Sequence, residues 1–182
     1  MTLTAANARV AVTGAVYRAP AGTALPTSAT GVLDTNFWDV GYISTDGIQT
    51  SISTDTNDIQ AWQNGDILRT VMTSHNYTVS FTMMETNETS LGLYYNAFTH
   101  GAGAASGTAL VKGVQGYRGS FVINVVDGTQ NLRIVLPDAQ VTERGDISYV
   151  NGDAIQYPVT LTAYPDASGN KGYLYFEMDA AS

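Results

Sequence analysis

Cysteine is absent from the 182 residues. That excludes a disulfide framework, a thiolate zinc site and a cysteine nucleophile. Histidine occurs only as His75 and His100, which leaves little for a metal cage. Positive charge is scarce too. Two lysines, Lys112 and Lys171, and six scattered arginines form no basic stripe, so the chain is not expected to clamp a nucleic-acid backbone. No apolar run approaches the ~20 residues of a membrane helix. The first 16 residues lack a basic segment leading into an adequate apolar one, so a soluble protein made in the cytoplasm is expected. Charged residues of both signs amount to 13%, about half the usual ~25%. Sixteen acidic groups against eight basic ones give a formal net charge of −8. A surface so poor in charge needs an explanation.

What is present is β-forming. A chain of this length buries roughly 70% of its unfolded surface, enough for one domain with a real core. Tyr77, Val79, Phe81 and Met83 alternate with Thr78, Ser80 and Thr82. The same period of two recurs at Phe121, Ile123 and Val125, and at Leu132, Ile134 and Leu136, separated by Arg133 and Val135. It returns at Ile155, Tyr157, Val159 and Leu161, and at Tyr173 and Tyr175 against Leu174 and Phe176. Such alternation puts one face on a core and the other in water or on a partner. Asp127-Gly128, Thr45-Asp46-Gly47, Asn64-Gly65-Asp66 and Asn151-Gly152-Asp153 read as hairpin-type turns. A mainly β, antiparallel sandwich or barrel is expected.

One helix interrupts the pattern. Leu91, Tyr94, Tyr95 and Phe98 fall at i, i+3, i+4 and i+7, giving a packing face on a helix expected over 87–100, its core running from Glu88 to Thr99. Asn87 is the expected N-cap, Glu88 suits the first turn, and Gly101 would close the end. Residues 18–36 have neither period and read as an extended arm or loop. Residues 53–66 are polar and acidic, yet carry Ile59 and Trp62, and read as an extended loop. The chain divides no further: 1–182 is one domain, with 1–36 an N-terminal arm and first strand and 165–182 a C-terminal strand and tail.

No constellation carries chemistry. The glycine-rich stretch GAGAASG, 101–107, follows the helix, whereas a phosphate-cradling loop must precede one. Asp55, Asn57 and Asp58 resemble a calcium loop, but an oxygen ligand is needed at 59, which is Ile, and a glycine at 60, which is Gln. Asn76-Tyr77-Thr78 and Asn87-Glu88-Thr89 match the glycosylation pattern by chance. No Ser–His–acid or paired-carboxylate arrangement follows from the spacing of His75 and His100. No enzyme activity, catalytic residue, metal or cofactor is expected. What remains concerns surfaces. Strand edges are templates for pairing with another chain, and lysine, which guards them in monomers, is nearly missing. Covering by sister copies explains the low charge.

Two stretches resemble a known family. Residues 13–26, TGAVYRAPAGTALP, and 37–48, FWDVGYISTDGI, are similar to the major tail proteins, or tail tube proteins, of long-tailed bacteriophages, especially those of actinobacterial hosts. The acidic loop, Ile67-Leu68-Arg69-Thr70 and the strand leading into the helix follow in the family's order. The resemblance implies a tail tube fold with one flanking helix, in which inner strands of six protomers share a barrel and the rings stack into a tube. It implies a virion protein, with copies of itself, tape-measure and tail-terminator proteins and passing double-stranded DNA as partners, and no membrane. By the same resemblance, the loop at 53–66 is expected to stack rings through Asp55, Asp58, Ile59, Trp62 and Asp66, with Ile59 and Trp62 as apolar anchors. Residues 1–9, 18–36 and the tail after Tyr173 would be arms. A lumen of acidic and hydroxyl side chains would let DNA slide. The competing expectations are a carbohydrate-binding or adhesin-like β-sandwich and a tail-completion or decoration protein.

Overall fold

The computed structural model describes residues 8–100 and 106–177, His100 by its backbone alone. In chain order the strands are β1 (Thr13–Pro20), β2 (Trp38–Asp39), β3 (Ile43–Gln60) and β4 (Ile67–Met83), then helix α1 (Glu88–Tyr95). Strands β5 (Phe98–His100), β6 (Gly107–Ala109), β7 (Arg118–Asp127), β8 (Gln130–Arg144), β9 (Tyr157–Ala163) and β10 (Tyr173–Phe176) follow. The main sheet runs β2-β1-β7-β8-β9-β4-β3, with β10 pairing on β8, and β5-β6 form a separate ribbon. Every one of these pairings is antiparallel.

Chain connectivity forces this sheet to curl. Strands β2 and β3 lie at opposite ends of the path, yet only residues 40–42 join them. A flat sheet of seven strands would hold its outer strands about 29 Å apart, and so short a link reaches about 14 Å. The ends must come together. Val40 N–H donates to Val16 O at 3.0 Å, on β1, and Met84 N–H donates to Tyr42 O at 2.9 Å, just past β4. The sheet therefore rolls into a barrel-like body whose interior holds Val16, Val79, Phe81, Phe121, Leu136 and Leu161. These are largely the residues whose period of two was read from the sequence.

The outer side of part of the barrel is buried as well. Val122 and Val135 pack with Ala19 and Phe37, and half-buried Leu25, Leu33, Tyr173 and Tyr175 join them. Strand β7 is thus buried on both faces, which makes its apolar run nearly continuous. Of the extended arm or loop expected over 18–36, the larger part is a loop lying against the barrel. Residues 18–20 belong to β1, and the rest forms a strap across the second face. Arg133, 6% exposed, pins that strap: its Nη1 donates to Ser28 O at 3.0 Å and Gly31 O at 2.6 Å, and its Nε donates to Asn124 Oδ1 at 2.7 Å. Burial holds the Arg133 pKa below the ordinary guanidinium value, against an opposing pull from Tyr17.

The helix is shorter than its spacing suggested. Asn87 caps it as expected, with Oδ1 accepting from Ser90 N–H at 2.8 Å and its own N–H donating to Ser90 Oγ at 3.1 Å. Asn96, in the left-handed region at φ 51°, ends it by donating its N–H to Gly92 O. Phe98 consequently leaves the helix for β5, and Gly101 lies outside the described residues, as does most of 101–107. Tyr94 is buried beside Leu93, while Leu91 and Tyr95 are half-buried against the same core. Two more local readings change. Thr45-Asp46-Gly47 sits inside β3, where the register slips between Ile43 and Ile48, so it is a bulge and not a turn between strands. Pro137 lies inside β8 at another register slip, where Ser120 Oγ donates to its carbonyl at 2.7 Å; a bulge is where a strand tolerates a residue without an N–H.

Candidate self-assembly surface

The stretch expected as an extended loop over 53–66 is the outer half of a long hairpin. Strand β3 continues to Gln60, residues 61–66 turn, and β4 returns from Ile67. Thr, Ser, Asn and Asp carry no periodicity here because neither face meets a core, so the pattern that reveals a half-buried strand is missing. The eight residues 53–60 extend the paired strand by about 26 Å. Only the inner end of β4, Thr78–Met83, is also held by β9.

Side-chain hydrogen bonds and turn geometry hold the arm. Ser74 Oγ donates to Asp55 Oδ2 at 2.5 Å and Thr70 Oγ1 donates to Asp58 Oδ1 at 2.6 Å. At the tip Asn64 and Gly65 both take positive φ, 60° and 70°, the pair of left-handed residues that suits a tight hairpin reversal. Ala61 N–H donates to Asp66 O at 2.8 Å across the base of the turn. Register slips between Asp55 and Thr56 and between Ile59 and Gln60 mark β-bulges, which add twist to an exposed edge.

The five residues expected to stack rings do not form one cluster. Asp55 shares a face with Ser74, its register partner, while Asp58 is on the opposite face with Thr70. Ile59 lies on the Asp55 side, opposite Arg69. Trp62 stands at the tip, 96% exposed, and Asp66 closes the turn. Asp55 and Asn57 thus point away from Asp58, so the calcium-like spacing brings no ligand set together. Among the described residues no group of acidic and histidine side chains could hold a metal. His75 is an exposed residue of β4.

Sequence reasoning missed most of the arm's apolar surface. Ile52, Ile67, Leu68 and Met72 are exposed beside Ile59 and Trp62. A two-stranded ribbon is marginal in water by itself, and six large apolar side chains on one projection exceed the scattered exposure of an ordinary monomer. The available signal was Ile67-Leu68 following a turn with no core strand to pair against.

A second open region lies where the described chain begins and ends. Val12 N–H donates to Val126 O at 3.2 Å and Val10 N–H to Asp127 Oδ2 at 2.9 Å. Arg9 Nη2 donates to Glu177 O at 2.7 Å, and Glu177 Oε2 accepts from Asn131 N–H at 3.1 Å. Residues 9–12 and 174–177 therefore converge on the β7–β8 turn, where Val10, Val12, Leu174 and Phe176 are exposed. Residues 1–7 and 178–182, the outer parts of the expected arms, lie outside the described residues.

An edge-rich barrel with a projecting apolar hairpin is the architecture of a subunit made to be joined to others. The sequence profile of the phage tail tube protein family matches residues 1–181. The chain belongs to that family: it is a structural tail tube protein, located in the virion tail. A search of curated protein sequences finds no match. Among solved structures, a chain of the anti-feeding prophage cap, its tube-terminating cap, aligns with a TM-score of 0.57 at 9% identity, covering 97% of each chain. A chain of the sheath-tube complex of an extracellular contractile injection system, PVC, in its extended state aligns with a TM-score of 0.53 at 11% identity, covering 95% of this chain and 98% of that one. At such identities the likeness is one of fold. The mainly antiparallel β architecture with one helix agrees with it.

Proposed function

We propose that copies of this chain join edge to edge into hexameric rings, and that the rings stack through the β3–β4 hairpin into a tube around a channel for double-stranded DNA. The observation that carries this reading is the hairpin's outer half, wet on both faces yet bearing Ile59, Trp62, Ile67, Leu68 and Met72, with Ile52 exposed at its base. Burying one tryptophan removes roughly 200 Å² from water, about 5 kcal/mol at 25 cal/mol per Å². A ring of six repeats that gain, so modest contacts per copy suffice for a long polymer. Strand pairing between copies would also remove the free edge of β3, the last strand on the sheet path, which is otherwise a template for aggregation.

In this reading Ile59 and Trp62 anchor the contact, while Asp55, Asp58 and Asp66 shape and solvate the arm. Leu91, Tyr94 and Tyr95 fasten the helix to the barrel, with Phe98 beyond its end. Tape-measure protein inside the channel and terminator protein at its end are the further partners. The role is structural, with no enzymatic activity assigned. Ile59→Ser combined with Trp62→Ser tests it. Folded protomers or single rings that no longer polymerise, seen by negative-stain microscopy, are expected. Tubes of normal length and abundance from the double variant would overturn the assignment of the hairpin.

A further inference from the structure

Arg18 is held differently from the other arginines of the protomer. Arg9, Arg118 and Arg133 each donate to an oxygen, while Arg69 and Arg144 are exposed to water. Arg18, on β1, is half-buried. Its Cζ lies 4.8 Å from the centre of the Tyr117 ring and 5.5 Å from that of Trp38, its register partner on β2. Arg18 Nε and Tyr117 Oη are both withdrawn from water, without a hydrogen-bond partner among the described residues. Cation–π attraction holds the guanidinium in place, but rings supply neither a full counter-charge nor good acceptors for its N–H groups. A planar cation clamped by its faces keeps its edge for a carboxylate, whose two oxygens match the guanidinium fork.

The position of this cluster follows from the topology. The 17 residues of β4 lead from the base of the arm's turn at Ile67 to Met83, about 50 Å of strand, and the chain then enters α1. Arg18 lies against that helix: a Cβ at Gly92 would stand 3.2 Å from its Nη2. The cluster is therefore at the end of the barrel opposite the projecting hairpin. Trp38 is 45% exposed there, and the loop that carries Tyr117 exposes Val111 and Val114. The two tryptophans of the chain thus stand at opposite ends, each open to solvent. Charge is divided in the same way. On the arm, Asp55 and Asp58 accept from Ser74 and Thr70, whereas Asp66 at the tip is exposed and engages Ala61 through its backbone carbonyl. We propose that Arg18, Trp38 and Tyr117 form the socket for the β3–β4 hairpin tip of a second copy of this chain. The Asp66 carboxylate meets the guanidinium edge, and the Trp62 indole packs on Trp38. This rests on the stacking reading above and names the surface which that reading leaves unassigned. A projection at one end and its receptor at the other give a head-to-tail contact, which propagates into an open stack. An aromatic anchor beside one arginine pair is also the composition of contacts that dominate binding energy.

Charge reversal reads the pair directly. Asp66→Arg changes an exposed turn residue, so the protomer should stay folded while the yield of sedimentable tubes falls by at least about tenfold, matching the loss of one charge-assisted hydrogen bond. Arg18→Asp should do the same, and the two substitutions in one chain should restore tubes. Normal tubes from either single variant, or no recovery in a folded double variant, overturns the pairing. The absence of natural cysteine supplies a second readout that leaves the socket untouched. Gln63→Cys beside the tip and Gln115→Cys on the loop of Tyr117 are both exposed positions. With both in one chain, a short bismaleimide should link tubes into a ladder of covalent oligomers. Dilute protomers should give no internal link, because the two positions lie at opposite ends of the chain's own barrel. Tubes of this variant that yield no ladder overturn the socket, and this result decides alone if Arg18→Asp does not fold. Either failure leaves hairpin stacking to be judged by the Ile59 and Trp62 double variant, whereas an unmodified chain that forms no tubes under any condition ends both.

Discussion

Strand β4 is two different materials along its length. From Tyr77 to Met83 alternate side chains enter the barrel core, and Val79 and Met83 are fully buried. From Ile67 to Asn76 nearly everything is exposed, including Ile67, Leu68 and Met72. Backbone pairing with β3 is continuous apart from bulges, so the ladder does not explain the difference. What changes is the second neighbour: β9 flanks the inner half, and among the described residues no strand flanks the outer one. The inner half therefore belongs to the stability of the protomer, and the outer half is the part that the proposed assembly would cover with another chain. In the proposed reading, folding and assembly are divided along a single strand.

Substitutions separate the two halves. The largest effect on the protomer is expected from Phe81→Ala, which removes a buried ring contacting the core and should cost about 3–5 kcal/mol, read as a lowered midpoint in chemical denaturation. A change under about 1 kcal/mol would mean that Phe81 is not part of a packed interior. Next comes the strap. Arg133→Met removes the charged donor that ties the carbonyls of exposed Ser28 and half-buried Gly31 to the barrel, and a hydrogen bond to a charged group contributes about 1.5–3 kcal/mol. Hydrogen exchange over 21–37 should accelerate while exchange in β9 stays slow. Uniform acceleration would show that the strap does not open separately. On the arm the sign of the comparison reverses. Trp62→Ser should leave protomer stability within about 0.5 kcal/mol, as for a surface position, while reducing tube yield. A clear loss of protomer stability would mean the indole packs within its own chain.

The smallest effect concerns acid. Tyr173 Oη donates to Asp166 Oδ2 at 2.5 Å, and the backbone N–H groups of Asn170, Ser168 and Gly169 support the same residue. Chiefly through the tyrosine hydroxyl, these bonds hold the Asp166 pKa below the ordinary carboxylate range. A lowered acid pKa adds stability that is fully present above the unfolded-state value and disappears as pH falls through the folded one. Asp166→Asn should therefore cost a little stability at neutral pH and nothing in strong acid. A gap between variant and wild type that persists unchanged in strong acid would contradict this role.

Legibility in the sequence followed the water. Where one face is buried, as at Val79, Phe81, Val159 and Leu161, the period of two stands out and the strands were readable. The N-cap at Asn87 was readable because its chemistry is local. The outer hairpin was not, since a strand wet on both sides has no reason to alternate. Arg133 was read as a spacer between core residues because no local pattern reveals that residues more than a hundred positions earlier fold over it. Phe98 extended the helix on paper because its spacing fits, while Asn96 ends the helix through a backbone conformation that spacing does not encode. Of the stacking residues, Ile59 and Trp62 stood out as apolar side chains in a polar stretch. Ile52 and Met72 did not, since each sits among residues that resemble an ordinary strand.

Electron cryomicroscopy of the concentrated wild-type protein tests the central claim most directly. The account predicts tubes in which the outer β3–β4 hairpin, Trp62 included, is enclosed by neighbouring copies. Discrete single-chain particles at every concentration, or tubes in which that hairpin stands free in solvent, would contradict it.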